Sequence, residues 1–161
     1  MPSTVQPDPK FMRMAIDLAT ENVRSGKGGP FGAVVVLNGE VIAAAANTVT
    51  SSNDPTAHAE VNAIRAACRA IESFQLDDCD VYTSCEPCPM CFAALYWSRC
   101  RAIFYGNTKS DAAAAGFDDS FLYDEVKRPI DERRIPFCRV LGDEAIKSFD
   151  IWKQSSERIE Y

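Results

Sequence analysis

Behind Asp8-Pro9, a capping residue followed by the proline tolerated at a first helical position, Phe11, Met14, Ala15, Leu18 and Asn22/Val23 recur at helical spacing. They predict a helix that ends at Ser25. Gly26, Gly28, Gly29 and Pro30 break that period, and an apolar run from Phe31 to Leu37, the pair Asn38-Gly39 and a second run from Val41 predict a β-hairpin. From Asn47 to Thr56 the chain is dominated by Thr, Ser, Asn, Asp and Pro, so it reads as a loop feeding a helix that begins near Ala57. Val61, Ile64, Ala67/Cys68 and Ile71 supply the buried stripe of that helix.

Downstream, a strand over Cys79–Thr83 precedes a turn at Ser84–Pro87, a helix over Cys88–Ser98 and a strand over Arg101–Tyr105. Strand and helix alternate here, which favours a layered α/β domain with parallel strands. Gly106–Pro136 is less regular, with a short helical stretch around Asp111–Ala115, and reads as a surface excursion. A strand over Phe137–Leu141 and a helix from Asp143 to about Ser156 close the pattern. No repeat, linker or low-complexity segment interrupts the chain, so its 161 residues predict one domain spanning 1–161.

Composition changes the picture in two ways. The net charge of −6 runs against the basic face that a nucleic-acid binder uses on phosphates, so small substrates are favoured and no nucleic-acid partner is expected. No stretch approaches the length of an apolar membrane span, and Met1–Pro7 lacks the basic start and apolar middle of a signal peptide, which predicts a cytoplasmic protein without a membrane partner. Seven cysteines in such a compartment stay as thiols, and closely spaced ones are better suited to metal than to disulfides.

The only histidine, His58, lies in Thr56-Ala57-His58-Ala59-Glu60, and Pro87-Cys88-Pro89-Met90-Cys91 follows later in the chain. One imidazole and two thiolates are a zinc ligand set, and a catalytic zinc takes three protein ligands and leaves the fourth place to water. Cys88 and Cys91, three apart in the first turn of a helix, share a face, and that helix end favours thiolates. Glu60 converges with His58 only if both stand at a helix's first turn, where the carboxylate is placed for general acid/base work. This His-x-Glu and Pro-Cys-x-x-Cys spacing is the established signature of zinc nucleobase deaminases. The structural alternative adds Cys85 as a fourth ligand and closes the site for a protein-binding role. Cys68, Cys79, Cys100 and Cys138 read as small buried apolar residues.

With these motifs the chain resembles the cytidine deaminase superfamily, and within it the bacterial guanine deaminases. The likeness runs from Gly28-Gly29-Pro30-Phe31-Gly32-Ala33 through Asn53–Glu60 and Thr83–Cys91 to Gly116-Phe117-Asp118-Asp119 and the terminal Tyr161. It implies a three-layer α/β/α fold with a mixed five-stranded sheet, one zinc per chain on His58, Cys88 and Cys91, and Glu60 as the proton carrier. It further implies a purine pocket of Phe31, Asn47, Ala59, Trp97, Asp119 and Tyr161, with the Glu86 carbonyl receiving the departing amine. Phe31 and Trp97 also fit plain core packing, and Asp119 a solvated loop. The activity implied is deamination of guanine to xanthine and ammonia by a homodimer with exchanged C-terminal segments. Deamination of guanosine or cytosine is the neighbouring reading, and tRNA adenosine deamination a more distant one.

Overall fold

The helix predicted behind Asp8 forms as α1 (Pro9–Arg24), with the Asp8 carboxylate accepting a hydrogen bond from Lys10 N at 3.0 Å and Ser25 at the C-terminal end. The computed structural model describes residues 5–161, so the part of the signal-peptide expectation that rests on 1–4 lies outside the described residues. The hairpin forms as β1 (Gly32–Leu37) and β2 (Glu40–Ala46), and Asn38 and Gly39 both take the positive φ of a tight hairpin turn, 52° and 81°. After it come a short helix α2 (Val49–Ser52), helix α3 (Ala59–Ala70), strand β3 (Cys79–Cys85), helix α4 (Pro89–Trp97), strand β4 (Ala102–Asn107) and helix α5 (Lys109–Ala114).

The strands form one mixed sheet in the order β2-β1-β3-β4, antiparallel except for the β3/β4 pair that α4 connects. Side-chain alternation then sorts two cores. Val34, Val36 and Tyr82 pack with Phe11 and Ala15 of α1 on one face. Ala33, Val35, Cys79 and Val81 pack with Ala59, Ala63 and Ala67 of α3 and Leu95 of α4 on the other. The three layers are those expected. Helix α1 lies directly on strand backbone: a Cβ at Gly32 would stand 2.3 Å from the Ala15 carbonyl oxygen, so only glycine fits there.

The polypeptide divides into two compact units, one ending at Asp119 and the other covering Ser120–Tyr161. The second holds α6 (Ser120–Lys127), a 3₁₀ turn at Ile130–Glu132 and α7 (Gly142–Gln154). In the single chain it exposes Val140, Phe149, Ile151 and Tyr161.

Several expectations need correction. The sheet has four strands among the described residues, not five, because Phe137–Leu141 forms none. Its apolar side chains are exposed and Leu141 turns into the left-handed region at φ 52°, so the apolar pattern found no ladder partner. Parallel pairing is confined to β3/β4. The 47–56 loop contains α2, its helix begins at Ala59, and α6 interrupts the stretch read as irregular. Cys138 is exposed rather than buried, and Cys68 and Cys100 are half-buried. No helix of the described residues is long and apolar enough to cross a membrane.

Candidate metal centre and active site

Two helices begin at the same place. His58 is the N-cap of α3 and Cys88 the N-cap of α4, both in extended backbone conformation, and neither side chain makes a capping hydrogen bond. Pro87 and Pro89 bracket Cys88, and Pro89 is the first residue of its helix, where its missing N–H loses nothing. One turn on, Cys91 is fully buried.

His58 Nδ1 lies 3.5 Å from the Sγ of Cys88 and 3.5 Å from the Sγ of Cys91. Zinc bonds of about 2.05 Å to nitrogen and about 2.3 Å to sulfur give a tetrahedral N···S edge of about 3.5–3.6 Å, so the donors already stand at metal spacing. The donor set itself, one imidazole and two thiols, is zinc chemistry, and these three residues form the candidate metal cluster among the described residues. A hydrogen bond from Cys91 holds Cys88 down to about 4, a thiolate at neutral pH, and the same bond pushes Cys91 up. The hydrogen bond to Cys88 raises His58 in turn.

Cys85 does not join them. Its Sγ lies 3.8 Å from the Thr108 carbonyl oxygen, burial pushes its thiol up to about 11, and it stands outside the group of donors gathered around His58. Three protein ligands leave the open place of a catalytic site, which removes the basis of the structural alternative.

Glu60, in the first turn of α3, is only 4% exposed, and burial raises its carboxyl. Its Oε2 lies 3.4 Å from Cys91 Sγ, which sets the carboxylate against the ligand cluster. Its other oxygen, Oε1, accepts from the hydroxyl of buried Thr83 at 3.2 Å. Thr83 was not legible as a site residue, since threonine in a strand reads as a β-former. The one signal was a hydroxyl on the face shared by Cys79, Val81 and Cys85.

The residues expected around a substrate fall into two groups. Phe31 and Asn47 are coupled through the backbone, Asn47 N donating to Phe31 O at 3.1 Å, and the Phe31 ring meets the Phe117 ring edge-on at 5.0 Å. Asn47 is buried, with its Oδ1 accepting from Val49 N at 3.1 Å. Asn22 clamps this corner by donating to Gly29 O at 2.8 Å and Asn47 O at 2.9 Å, contacts its helical position did not announce. Ala59 is fully buried beside His58, and Glu86 is fixed by donating to Asn107 O at 2.7 Å and accepting from Lys109 N at 2.9 Å. Asp119 belongs to the same neighbourhood: burial, and then the Cys88 thiolate, raise its carboxyl. Trp97 and Tyr161 form the second group. Trp97 is exposed at the far end of α4, roughly 13 Å of helix rise from Cys88. Tyr161 is exposed in the Ser120–Tyr161 unit.

Residues 5–107 match the family model for the cytidine and deoxycytidylate deaminase zinc-binding region. The chain belongs to that family. A guanine deaminase of Bacillus subtilis (strain 168) is 54% identical over 94% of this chain and 97% of its own. The X-ray structure of guanine deaminase from Bacillus subtilis superposes with a TM-score of 0.93 at 52% identity, covering 97% of this chain and 99% of that one. A tRNA-specific adenosine deaminase of Agrobacterium fabrum is 45% identical, over 54% of this chain and 59% of its own. This deaminase therefore carries a zinc-binding catalytic domain of the cytidine deaminase type, and His58, Cys88 and Cys91 are the residues able to hold its zinc.

Proposed function

We propose that this deaminase converts guanine and water to xanthine and ammonia. The observation that carries the reading is identity sustained along the chain: the guanine deaminase is 54% identical over 94% of it, whereas the Agrobacterium fabrum tRNA deaminase is 45% identical over 54%. Gly116-Phe117-Asp118-Asp119, outside the family model's 5–107, carries Phe117 against Phe31 and puts Asp119 within electrostatic reach of Cys88. The net charge of −6 also runs against the basic face that an RNA binder uses on phosphates.

Zinc, when bound by His58, Cys88 and Cys91, supplies the Lewis acidity that makes water a nucleophile near neutral pH. Glu60 takes a proton from the attacking water as its oxygen bonds to C2, delivers it to a ring nitrogen, and then serves the leaving amine as the C2–N bond breaks. Asn47 Oδ1 is already engaged with Val49 N, so its Nδ2 is the end that donates to a carbonyl or ring-nitrogen acceptor of the base. Asp119 accepts from an N–H of the base. Phe31 covers a ring face and Ala59 leaves room for the ring, while the Glu86 carbonyl accepts from the departing ammonia.

We further propose a homodimer with exchanged C-terminal segments, in the cytoplasm. Helix α4 is apolar all round yet exposes Phe92, Tyr96 and Trp97, a face that a second copy covers. In such a dimer Trp97 and Tyr161 serve a site other than the one their own chain builds. All seven cysteines are free, as a reducing compartment keeps them.

A liquid-chromatography screen of the zinc-loaded protein against guanine, guanosine, cytosine, cytidine and adenine tests the substrate. Xanthine from guanine is the expected result, and comparable kcat/KM on guanosine refutes a pocket closed against ribose. Mixing a Glu60→Gln chain with one lacking Tyr161 tests exchange, because activity reappears only if a tail completes the neighbour's site.

A further inference from the structure

Thr83 stands on β3 where side-chain alternation places apolar residues: Cys79 and Val81 precede it on the face that packs against α3. It is 2% exposed. Valine has the same shape, fits a strand equally well and needs no partner for a hydroxyl, so packing gives no reason for an oxygen here. The oxygen does have a geometry. Thr83 Oγ1 is 3.2 Å from Glu60 Oε1 and 2.9 Å from the Cys85 carbonyl oxygen.

We propose that Thr83 is a positioning residue for the deamination, holding one oxygen of the Glu60 carboxylate so that the other faces the His58/Cys88/Cys91 cluster. The inference rests on the role given to Glu60 above. Oε1 is tied to the strand, and Oε2 is the oxygen at Cys91 Sγ, 3.4 Å away. A glutamate has three side-chain torsions, and at a first helical turn only part of them is fixed by neighbours. The single proton of the strand hydroxyl is shared between the Cys85 carbonyl and the Glu60 carboxylate, and the charged carboxylate is the stronger acceptor, so the hydroxyl ties the carboxylate plane to the strand across the α3/β3 layer. Proton transfer falls off steeply with misplacement, so loss of this contact acts on turnover rather than on substrate binding.

The test compares Thr83→Val, which keeps the shape and removes the oxygen, with Thr83→Ser, which keeps the oxygen. Guanine turnover is measured per zinc-loaded folded chain, alongside zinc content, Tm and a crystal structure of each variant. The expected result for Thr83→Val is kcat lower by about tenfold to a hundredfold with KM little changed, zinc retained and the Glu60 carboxylate rotated. Thr83→Ser is expected to recover kcat to within about threefold of the wild type, as a retained hydrogen bond requires. Thr83→Val with wild-type kcat, a Ser variant as slow as Val, or a change in KM alone overturns the proposal. Glu60→Gln is run in parallel to separate two kinds of failure. An active Glu60→Gln refutes the role of Glu60 and the proposal with it, whereas an inactive Glu60→Gln beside an active Thr83→Val refutes the positioning role only.

Discussion

Replacing Glu60 by glutamine removes a proton acceptor from a place the fold has otherwise kept intact. The amide has the carboxylate's shape and, at 4% exposure, the same packing. Its oxygen still accepts from Thr83, which stands 3.2 Å from Oε1, so position is preserved and only proton transfer is lost. General acid/base groups contribute about 10²–10⁴-fold, which is about 3–5 kcal/mol of barrier. One carboxylate serving both the water and the leaving amine belongs at the upper end of that range, so turnover should fall by about 10³-fold or more. The assay is xanthine formation from guanine per bound zinc, with metal content measured on the same samples. A second readout follows from linkage in the zinc-free protein. Burial raises the Glu60 pKa above its ordinary 4.5, so the folded state binds the proton more tightly than the unfolded chain. The stability this contributes is complete below pH 4.5 and is lost as pH rises through the folded value. Zinc-free Glu60→Gln should therefore melt above zinc-free wild type at neutral pH, with the gap closing on acidification. More than about a tenth of wild-type turnover, or a gap that ignores pH, would refute the reasoning.

Cys85→Ser should retain zinc and most turnover, while Cys88→Ala and Cys91→Ala should each empty the site; metal analysis by mass spectrometry decides between three ligands and four. Gly32→Ala should lower unfolding free energy by about 1–3 kcal/mol or more in a urea titration, because its Cβ meets the Ala15 backbone rather than a side chain that can move. Asp119→Ala, and removal of Tyr161, should depress guanine turnover with zinc content and Tm retained; loss of metal in either would place the residue in the scaffold instead.

The metal centre was legible because its chemistry is carried by rare residue types at fixed spacing. A single histidine and a Pro-bracketed Cys-x-x-Cys leave few other uses, and two helix starts bring them together. The hairpin and α1 were legible because Asn38-Gly39 and Asp8-Pro9 impose local geometry directly. Phe137–Leu141 was misread because a strand is defined by its partner, and an apolar stretch carries no information about whether one exists. Thr83 and Asn22 were missed for a related reason. Each acts through one hydrogen bond or two to a residue distant in sequence, Glu60 in one case and Asn47 in the other, and no periodicity encodes such a contact.

His58 and Cys88 occupy the positions where helices usually recruit Ser, Thr, Asp or Asn, and neither side chain closes its helix. A good cap is worth about 0.5–2 kcal/mol, so two helix ends in this protein forgo that much each to keep their side chains turned toward a metal. The consequence concerns anyone engineering the fold for robustness. Cys88→Ser or His58→Asp would supply the missing cap to the zinc-free fold, yet each would also forfeit the stabilisation that bound zinc lends the native state. A higher melting point of the zinc-free protein from a change at either position would therefore mark a dismantled site, so screens for hardier variants of this enzyme must be run with zinc bound and report turnover in every round.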